Sequence, residues 1–220
     1  MGTAVETRAK LLETAIQLIW QSNYHQVGIN DICSKAGVTK GAFYYHFQSK
    51  ADLFYEAGHY YWEQTLGELD HVISPKYTSL EQLHNLIDMI VERQLNEPFS
   101  DDLEVSGCPI FTAGGQVGSG EQRVIQCSQE LSNEMLNYHV AIVRGLKGDG
   151  LLNGDPDILQ ISRIIHQYIQ GLLIYGRVFN SLEIVRTDLR EAIYRIVDLK
   201  QEYRILKDTD ILSNPIQVSV

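Results

Sequence analysis

The chain has few cysteines and lacks a long apolar run. Its 220 residues include three cysteines, Cys33, Cys108 and Cys127, which form no CxxC pair or other metal-binding spacing. An odd number of cysteines in a chain of this length is typical of reduced thiols in a cytosol. No stretch approaches the roughly 18 apolar residues of a membrane span, and the first residues lack the basic start and apolar run of a signal peptide. We therefore expect a cytoplasmic protein with no metal, no cofactor and no membrane partner.

Signatures of common enzyme classes are also missing. The sequence contains no GxSxG, P-loop or HExxH motif and no defensible pair of catalytic carboxylates. Cys108 with a histidine could form a nucleophile pair, but no local pattern supports that interpretation. We therefore predict that the protein is not an enzyme, and a cysteine-dependent enzyme stays as the alternative from a different class.

The charge is unevenly distributed along the chain. The formal net charge is −10, yet residues 1–50 carry five Lys or Arg against three Asp or Glu, and the remaining residues carry 13 against 25. This balance argues against a generally basic nucleic-acid coat protein. A mildly positive head on an acidic body would approach DNA by one end only.

Residues 28–50 predict two short helices joined by a tight turn. Ile32 and Ala36 lie four apart on one face of the first helix, and Gly37 suits a left-handed C-cap. Thr39 is placed to cap the second helix, which would turn Phe43 inward, with Phe47 four positions on. A small helix with a basic, aromatic and hydroxyl-bearing surface, held against another across a glycine turn, is suited to reading a DNA major groove.

The rest of the chain predicts an all-α fold. Apolar residues repeat near the helical period, interrupted by proline and glycine breaks, and no strand pattern competes. The predicted helices cover about 7–22, 49–70, 79–96, 121–147, 156–180 and 182–206. Residues 97–120 are glycine-rich and predict either a buried loop or a distorted short helix. Residues 212–220 predict a loose tail, and close helix packing would explain Gly171 and Gly176.

The N-terminal motifs resemble the DNA-binding domain of the TetR/AcrR family of bacterial repressors. The resemblance covers roughly the first quarter of the chain and rests on the segments at 7–12, 31–32, 36–41, 44–47 and 49–54. It implies a three-helix helix-turn-helix DNA-binding domain at 1–50, with a fourth helix from about 50 that links to a ligand-binding and dimerisation domain at 51–220. One departure is Val27-Gly28-Ile29, where many members have a Ser or Thr that caps the second helix and touches phosphate.

The resemblance also implies which residues face DNA. Lys50, at the start of a helix, should hold a phosphate, and Lys40 could reach a phosphate or a guanine edge. Gly41 would allow a close backbone approach, and Tyr44 offers a phenol for phosphate and a ring for a thymine methyl. The alternatives are that Tyr45 lies mostly in the core and that His46 is a structural hydrogen-bonder. The full set is Thr39, Lys40, Gly41, Tyr44, Tyr45, His46 and Lys50.

By the same resemblance, the protein would act as a homodimer on a palindromic operator and release it when an unknown small-molecule inducer fills a cavity in the body. Such dimers form through a four-helix bundle made of the last two helices of each subunit. Aromatic side chains with a few polar groups suit a ligand pocket, although each alone could be ordinary core. The candidates are Trp62, Phe99, Cys108, Phe111, Tyr138, His139, His166, Gln167 and Tyr175.

A cysteine-based sensor is the alternative within the same family. Gly107-Cys108-Pro109-Ile110 is similar to a Gly-Cys-apolar segment found in one branch of these repressors, including electrophile-responsive ones. Reactivity requires a thiolate, which a helix start or a nearby positive charge would favour. The other interpretation of Cys108 is a small buried apolar side chain.

Overall fold

The computed structural model describes residues 3–96, 104–118 and 120–204, and this part of the chain is helical. It contains nine α-helices, a short 3-10 turn at Gln201–Tyr203 and one antiparallel bridge between Leu152 and Leu199, without a strand. The predicted all-α class is confirmed. The helices are α1 (Ala4–Gln21), α2 (Ile29–Ala36), α3 (Lys40–His46), α4 (Lys50–Val72), α5 (Ser79–Asn96), α6 (Pro109–Gln116), α7 (Gln122–Gly148), α8 (Ile158–Phe179) and α9 (Leu182–Ile196).

Helices α2 and α3 form the predicted helix-turn-helix, and local hydrogen bonds close their ends. The Asp31 carboxylate accepts a hydrogen bond from the backbone N–H of Gly28 at 2.9 Å, which begins α2 without a Ser or Thr cap. Gly37 has a φ of +67°, the left-handed turn that ends α2. The Thr39 hydroxyl accepts from the N–H of Ala42 at 3.1 Å and begins α3. The expectations for Gly37 and Thr39 are therefore confirmed.

A first hydrophobic core lies within α1–α4 and continues into the body. Phe43, Phe47 and Phe54 are completely or almost completely buried in it. Ile110 of α6 and Cys127 of α7 belong to the same cluster. Helix α6 therefore shares a core with the helix-turn-helix. The predicted domain boundary at residues 50 and 51 stays a prediction.

A second core joins α5, α7, α8 and α9, and one glycine sets the approach of the last two helices. A Cβ atom on Gly176 would stand 2.7 Å from Cγ2 of Val185, so any side chain there would push α8 and α9 apart. Close packing thus explains Gly176, as expected. It does not explain Gly171, where a Cβ would meet nothing within 4 Å.

Of the two alternatives for residues 97–120, a buried loop or a short helix, the described residues show a short helix, α6. Helix α6 begins with Pro109, whose fixed φ and missing N–H suit the first turn of a helix. The backbone N–H of Thr112 donates to the carbonyl of Cys108 at 3.0 Å and closes that turn. Residues 97–103 and Ser119 lie outside the described residues.

Two limits of the C-terminal helices differ from the prediction. Helix α8 begins at Ile158 rather than near 156, because the Asp157 carboxylate accepts from the N–H of Gln160 at 3.0 Å and caps it. Helix α9 ends at Ile196 and does not reach 206, because Asp198 adopts a φ of +52° and reverses the chain. The backbone then returns to form the bridge at Leu199. The predicted tail at 212–220 lies outside the described residues.

Candidate functional site

Helix α3 presents most of the predicted DNA-facing residues to solvent. Thr39, Lys40 and Gly41 are exposed at its start. Farther along, the side chain of Tyr44 is 58% exposed and that of Tyr45 is 78% exposed. Phe43 and Phe47 point the other way and are buried, which confirms their assignment to the core. The result is a helix with one apolar face inside the head and one polar, aromatic face in water.

The fold does not require a glycine at position 41. The φ angle of Gly41 is not in the left-handed region, and a Cβ added there would meet only the Thr39 hydroxyl at an ordinary 3.7 Å. In a helix interior glycine is less favourable than alanine by about 1 kcal/mol. Local structure gives no reason for this residue, and the close approach of its backbone to DNA stays a prediction.

His46 is half-buried at the end of α3. Its ring packs edge-on against that of Tyr45, with ring centroids 4.9 Å apart, and lies 6.2 Å from the buried ring of Phe47. Tyr45 is too exposed to belong to the core, so that alternative for Tyr45 is wrong. His46 is placed to support the exposed ring of Tyr45 as well as to face outward.

The ammonium group of Lys50 turns into the protein. It donates to the backbone carbonyls of Tyr24 at 2.9 Å and Val27 at 3.1 Å, and it lies 4.2 Å above the Tyr24 ring. Burial lowers the pKa of Lys50, and the nearby Glu121 carboxylate opposes that shift. Lys50 therefore fastens the loop between α1 and α2, a role that the sequence did not suggest. Its contact with a phosphate stays a prediction.

A cavity of about 130 Å³ lies in the body, bounded by residues of α1, α4, α5, α6, α7 and α8. Its wall is mostly aromatic and aliphatic, and it also includes two methionines. The wall includes Trp20, Tyr61, Trp62, Leu86, Met89, Ile110, Phe111 and Met135.

The structure brings five of the nine predicted ligand residues to this cavity: Trp62, Cys108, Phe111, His139 and His166. Phe99 lies outside the described residues. The remaining three, Tyr138, Gln167 and Tyr175, lie off the cavity wall. Tyr138 donates its hydroxyl to Asp70 at 3.0 Å, while Gln167 is exposed and Tyr175 is 52% exposed.

The helical period explains the positions of Tyr138 and Gln167. Successive residues on a helix are about 100° apart, so once His139 and His166 face the cavity, Tyr138 and Gln167 are turned away. The inward positions on α8 are His166, Ile169, Gln170 and Leu173. The polar wall residues that sequence reasoning missed are Tyr61, Thr65, Arg93, Gln94, Ser132 and Gln170. Knowing one inward residue on each helix would have found most of them.

Two buried histidines lie side by side on the wall. The rings of His139 and His166 have centroids 5.6 Å apart, and Phe111 packs edge-on against His166 at 5.9 Å. Burial lowers the pKa of His139 to about 3, with His166 adding to the effect, and burial also lowers the pKa of His166. Both imidazoles are therefore neutral near pH 7, and each has one N–H donor and one nitrogen acceptor.

Three of the four nitrogens in this histidine pair have no hydrogen-bond partner among the described residues. They are Nδ1 of His139 and both Nδ1 and Nε2 of His166, all of them buried. His139 also makes a hydrogen bond with the backbone of Ser162. An unsatisfied buried polar group costs about 1–3 kcal/mol. A molecule in the cavity that supplied the missing bonds would recover that cost.

Arg93 is the charged residue on the described part of the wall, and its surroundings hold it in place. Its guanidinium donates to the Tyr61 hydroxyl at 2.5 Å and to the Thr65 hydroxyl at 3.0 Å. It lies 5.1 Å from the centre of the Tyr61 ring and 3.8 Å from the Glu68 carboxylate. Its charge is thus already balanced by a carboxylate of the same protein.

The two cysteines nearest the cavity differ in exposure. Cys108 is the partly buried N-cap of α6 and lines the cavity. Cys127 is fully buried, and burial raises the pKa of its thiol to about 12. Cys127 is therefore a core residue kept as a thiol. The sensor role of Cys108 stays a prediction.

Helix α6 and the C-terminal end of α8 connect the cavity with the head. Ile110 lies on the cavity wall and also in the core of the head. Arg177, near the end of α8, donates to the carbonyl of Trp20 at 3.1 Å and to that of Ser106 at 2.5 Å. The end of α1 is thereby tied both to α8 and to the segment that leads into α6.

The outer face of α8 is apolar and exposed toward its C-terminal end. Ile174 is 42% exposed, Val178 is 73% exposed, and the rings of Tyr175 and Phe179 pack together with centroids 4.5 Å apart. Ile165 and Ile193 point inward and are completely or almost completely buried within the protomer. Both are therefore core residues of the protomer.

Within the described residues, no cluster of three or more His, Cys, Asp or Glu side chains has the arrangement of a metal site. The helices of the same residues include none that combines the length and hydropathy needed to cross a bilayer.

The chain is similar in sequence to known transcriptional regulators. A sequence model of the family described as "Bacterial regulatory proteins, tetR family" matches residues 11–57. The HTH-type transcriptional regulator AcrR of Shigella flexneri is 33% identical over 99 residues, which are 43% of this chain and 44% of that protein. The chain thus spans less than half of the length of this relative. The relative is a regulator and not an enzyme.

Solved structures share the fold. A TetR-family transcriptional regulator from Agrobacterium tumefaciens superposes with a TM-score of 0.78 at 16% identity, covering 88% of this chain and 98% of that one. A cysteine mutant of the TetR-family regulator CifR, solved with a 26-bp double-strand operator DNA, superposes with a TM-score of 0.69 at 18% identity. That alignment covers 86% of this chain and 94% of the CifR chain.

Proposed function

The chain belongs to the TetR family of bacterial transcriptional regulators, and from that premise we propose that it is a cytoplasmic repressor that binds a palindromic operator as a homodimer. In this proposal α3 enters the major groove, and a small molecule in the cavity releases the DNA. The observation that carries it is the outer face of α3, where Lys40, Gly41, Tyr44 and Tyr45 are exposed while Phe43 anchors the helix from inside.

The exposed residues of α3 match the chemistry of a DNA groove. Lys40 and the two tyrosine hydroxyls offer donors to phosphate oxygens or base edges, and an aromatic ring can contact a thymine methyl. The open space around Gly41 lets the backbone come close to the duplex. CifR, which shares the fold, has been solved with operator DNA, and this supports operator binding here.

One recognition helix contacts few base pairs, so a specific regulator of this kind requires two heads. The exposed apolar strip of α8, formed by Ile174, Tyr175, Val178 and Phe179, is the surface best suited to join two copies. Contiguous apolar surface on a protein exterior commonly marks an interaction site. Helix α8 also lines the cavity, so the same helix would face both the partner and the ligand.

The contacts of α6 and Arg177 supply a path for release. A ligand that displaces Phe111 or Ile110 would move α6, which packs in the core of the head. Arg177 would carry a movement of α8 to the end of α1 through the Trp20 carbonyl. Either movement changes the separation of two heads in a dimer, and a fixed half-site spacing makes DNA binding sensitive to that separation.

Selection from a random duplex library tests the proposal. We expect enrichment of a palindrome, one dimer per site, and binding that weakens linearly in log salt as released counterions dictate. Tyr44→Ala should weaken operator binding more than binding to random DNA if its ring reads a base. Recovery of no palindrome, or salt-independent binding, would contradict the proposal.

A matched pair of variants tests the proposed dimer interface. Val178→Glu places a charge on the exposed strip and should give a folded monomer in sedimentation experiments, with loss of operator binding. Ile165→Glu places the same charge in the protomer core and should unfold the protein. A folded, still dimeric Val178→Glu protein would move the interface away from this strip.

A further inference from the structure

The cavity combines three properties that together restrict the chemistry of its ligand. It is small, its wall is largely aromatic and thioether-bearing, and its unsatisfied hydrogen-bonding groups belong to neutral imidazoles. The proposed function requires that a small molecule enter this cavity but does not say which kind.

We propose that the ligand is a neutral molecule of the phenol class, with one aromatic ring packed against the apolar wall and one hydroxyl group hydrogen-bonded to His166. The inference rests on the proposed function only in taking the cavity as the inducer site. The geometry of His139, His166, Phe111 and the two methionines carries the rest.

Size limits the ligand to about one ring. The cavity has a volume of about 130 Å³, and an apolar protein cavity of about 150 Å³ holds one benzene molecule. A fused polycycle or a long acyl chain would have to force the wall apart, which close-packed interiors resist.

The wall favours an aromatic ring over an aliphatic one. Trp62 and Phe111 offer ring edges and faces, which pair favourably with another ring. Met89 and Met135 add sulfur atoms, and sulfur–aromatic contacts are favourable. A saturated ring of the same size would gain the hydrophobic part of this interaction without the sulfur–aromatic and ring–ring parts.

His166 specifies the polar group. Both of its ring nitrogens are buried without a partner among the described residues, and as a neutral imidazole it presents one donor and one acceptor. A hydroxyl group both donates and accepts, so it can satisfy either nitrogen. His139, 5.6 Å away between ring centroids, keeps one further unpartnered nitrogen beside it.

A carboxylate is a poorer match than a hydroxyl. Burial holds both histidines in the neutral form, so a carboxylate beside them would lose its hydration without gaining a counter-charge. Arg93 is committed to Tyr61 and Thr65 and is balanced by Glu68. An anionic ligand would have to draw the guanidinium away from these partners.

Calorimetric titration of the full chain with phenol, toluene, cyclohexanol and benzoate tests the proposal. Phenol should bind at least about tenfold more tightly than toluene, because only phenol satisfies a buried nitrogen. Phenol should also bind more tightly than cyclohexanol and benzoate. Equal binding of phenol and toluene, of phenol and cyclohexanol, or tighter binding of benzoate would overturn the assignment, as would no binding of any of the four.

Variants at His166, with a control at Gln167, locate the polar contact. His166→Phe should abolish the preference for phenol over toluene while the protein still binds toluene, and His166→Leu provides the same comparison if the larger ring prevents folding. Gln167→Ala changes the exposed neighbour on the same helix and should keep the preference. A His166 variant that binds toluene and retains the full preference for phenol would overturn the assignment of His166.

DNA binding separates this inference from the proposed function. Phenol should lower the affinity of the wild-type protein for its selected duplex, and His166→Phe should weaken that response without weakening binding to the duplex itself. If phenol binds but DNA affinity does not change, the ligand class stands and the role of the cavity in release fails. If DNA binding is normal and phenol does not bind, the ligand class alone fails.

Discussion

The exposed face of α3 and the wall of the cavity carry similar side chains in opposite relations to water. On α3, Tyr44 and Tyr45 keep their hydroxyls in solvent, so their hydrogen bonds are made to water until DNA replaces it. In the cavity, His139 is only 2% exposed and His166 has buried nitrogens without partners among the described residues. The cost of desolvation there is incurred when the protein folds.

This difference assigns different roles to the two surfaces. Polar groups that stay hydrated contribute specificity on binding, since water is exchanged for partners of similar strength. Polar groups that are already dehydrated contribute affinity, because a ligand that bonds them removes an existing penalty. The head is therefore expected to discriminate among DNA sequences, and the cavity to discriminate among small molecules by one hydrogen bond.

The largest loss of stability in the free protein should come from a substitution on the buried face of α3. Phe43→Ala removes a completely buried ring and should lower the free energy of unfolding by about 3–5 kcal/mol. Tyr44→Ala, one residue away and exposed, should change it by less than about 0.5 kcal/mol. Chemical denaturation measures both. A comparable loss in the two variants would mean that α3 is not divided into an anchoring face and a reading face.

The buried His139 should make the protein less stable in acid. The pKa of His139 is about 3 in the folded protein, against an ordinary value of 6.5, so the unfolded chain binds the proton first as pH falls. The free energy of unfolding is unaffected by this group above about pH 6.5. As pH falls from there toward 3, it decreases by up to about 1.4 kcal/mol per pH unit. His139→Leu should flatten this decrease in denaturation curves. An unchanged pH dependence in His139→Leu would show that this imidazole is not kept neutral by the fold.

The head could be predicted from sequence because its signals are local. Gly37, Thr39, Phe43 and Phe47 act within one turn of their own helix, and their residue types restrict their conformations. The cavity depends on how α4, α5, α6, α7 and α8 are rotated about their axes, and no short segment contains that information. Aromatic and histidine content therefore identified His139 and His166, but it also included Tyr138, which faces away.

Lys50 does not fit the division between a hydrated DNA-facing surface and a dehydrated cavity. The sequence predicts that it faces DNA, but its ammonium group is hydrogen-bonded inside the protein. Lys50→Met keeps the length of the side chain and removes its hydrogen bonds to the carbonyls of Tyr24 and Val27. We expect a loss of about 1–3 kcal/mol in the free energy of unfolding, while Lys35→Met, which is exposed, should change it little.

The salt dependence of DNA binding provides the second readout for Lys50. If its ammonium also holds a phosphate, the slope of log affinity against log salt should flatten by roughly one unit in Lys50→Met. An unchanged slope with lowered stability would make Lys50 a structural residue alone. An unchanged stability would contradict the contacts seen with the loop between α1 and α2.

Gly41→Ala should not destabilise the free protein. A methyl group at this position meets only the Thr39 hydroxyl at 3.7 Å, and alanine is the better helix former, so stability should stay the same or rise by up to about 1 kcal/mol. If the α3 backbone approaches DNA here, the added methyl must push the duplex away, at about the 1–3 kcal/mol that overpacking costs. Operator affinity should then fall about tenfold or more. Denaturation and duplex titration on the same preparation separate the two quantities. Unchanged affinity in a stabilised Gly41→Ala protein would show that the backbone at position 41 stays away from the groove, leaving Lys40 and the tyrosines as the contacts of this face.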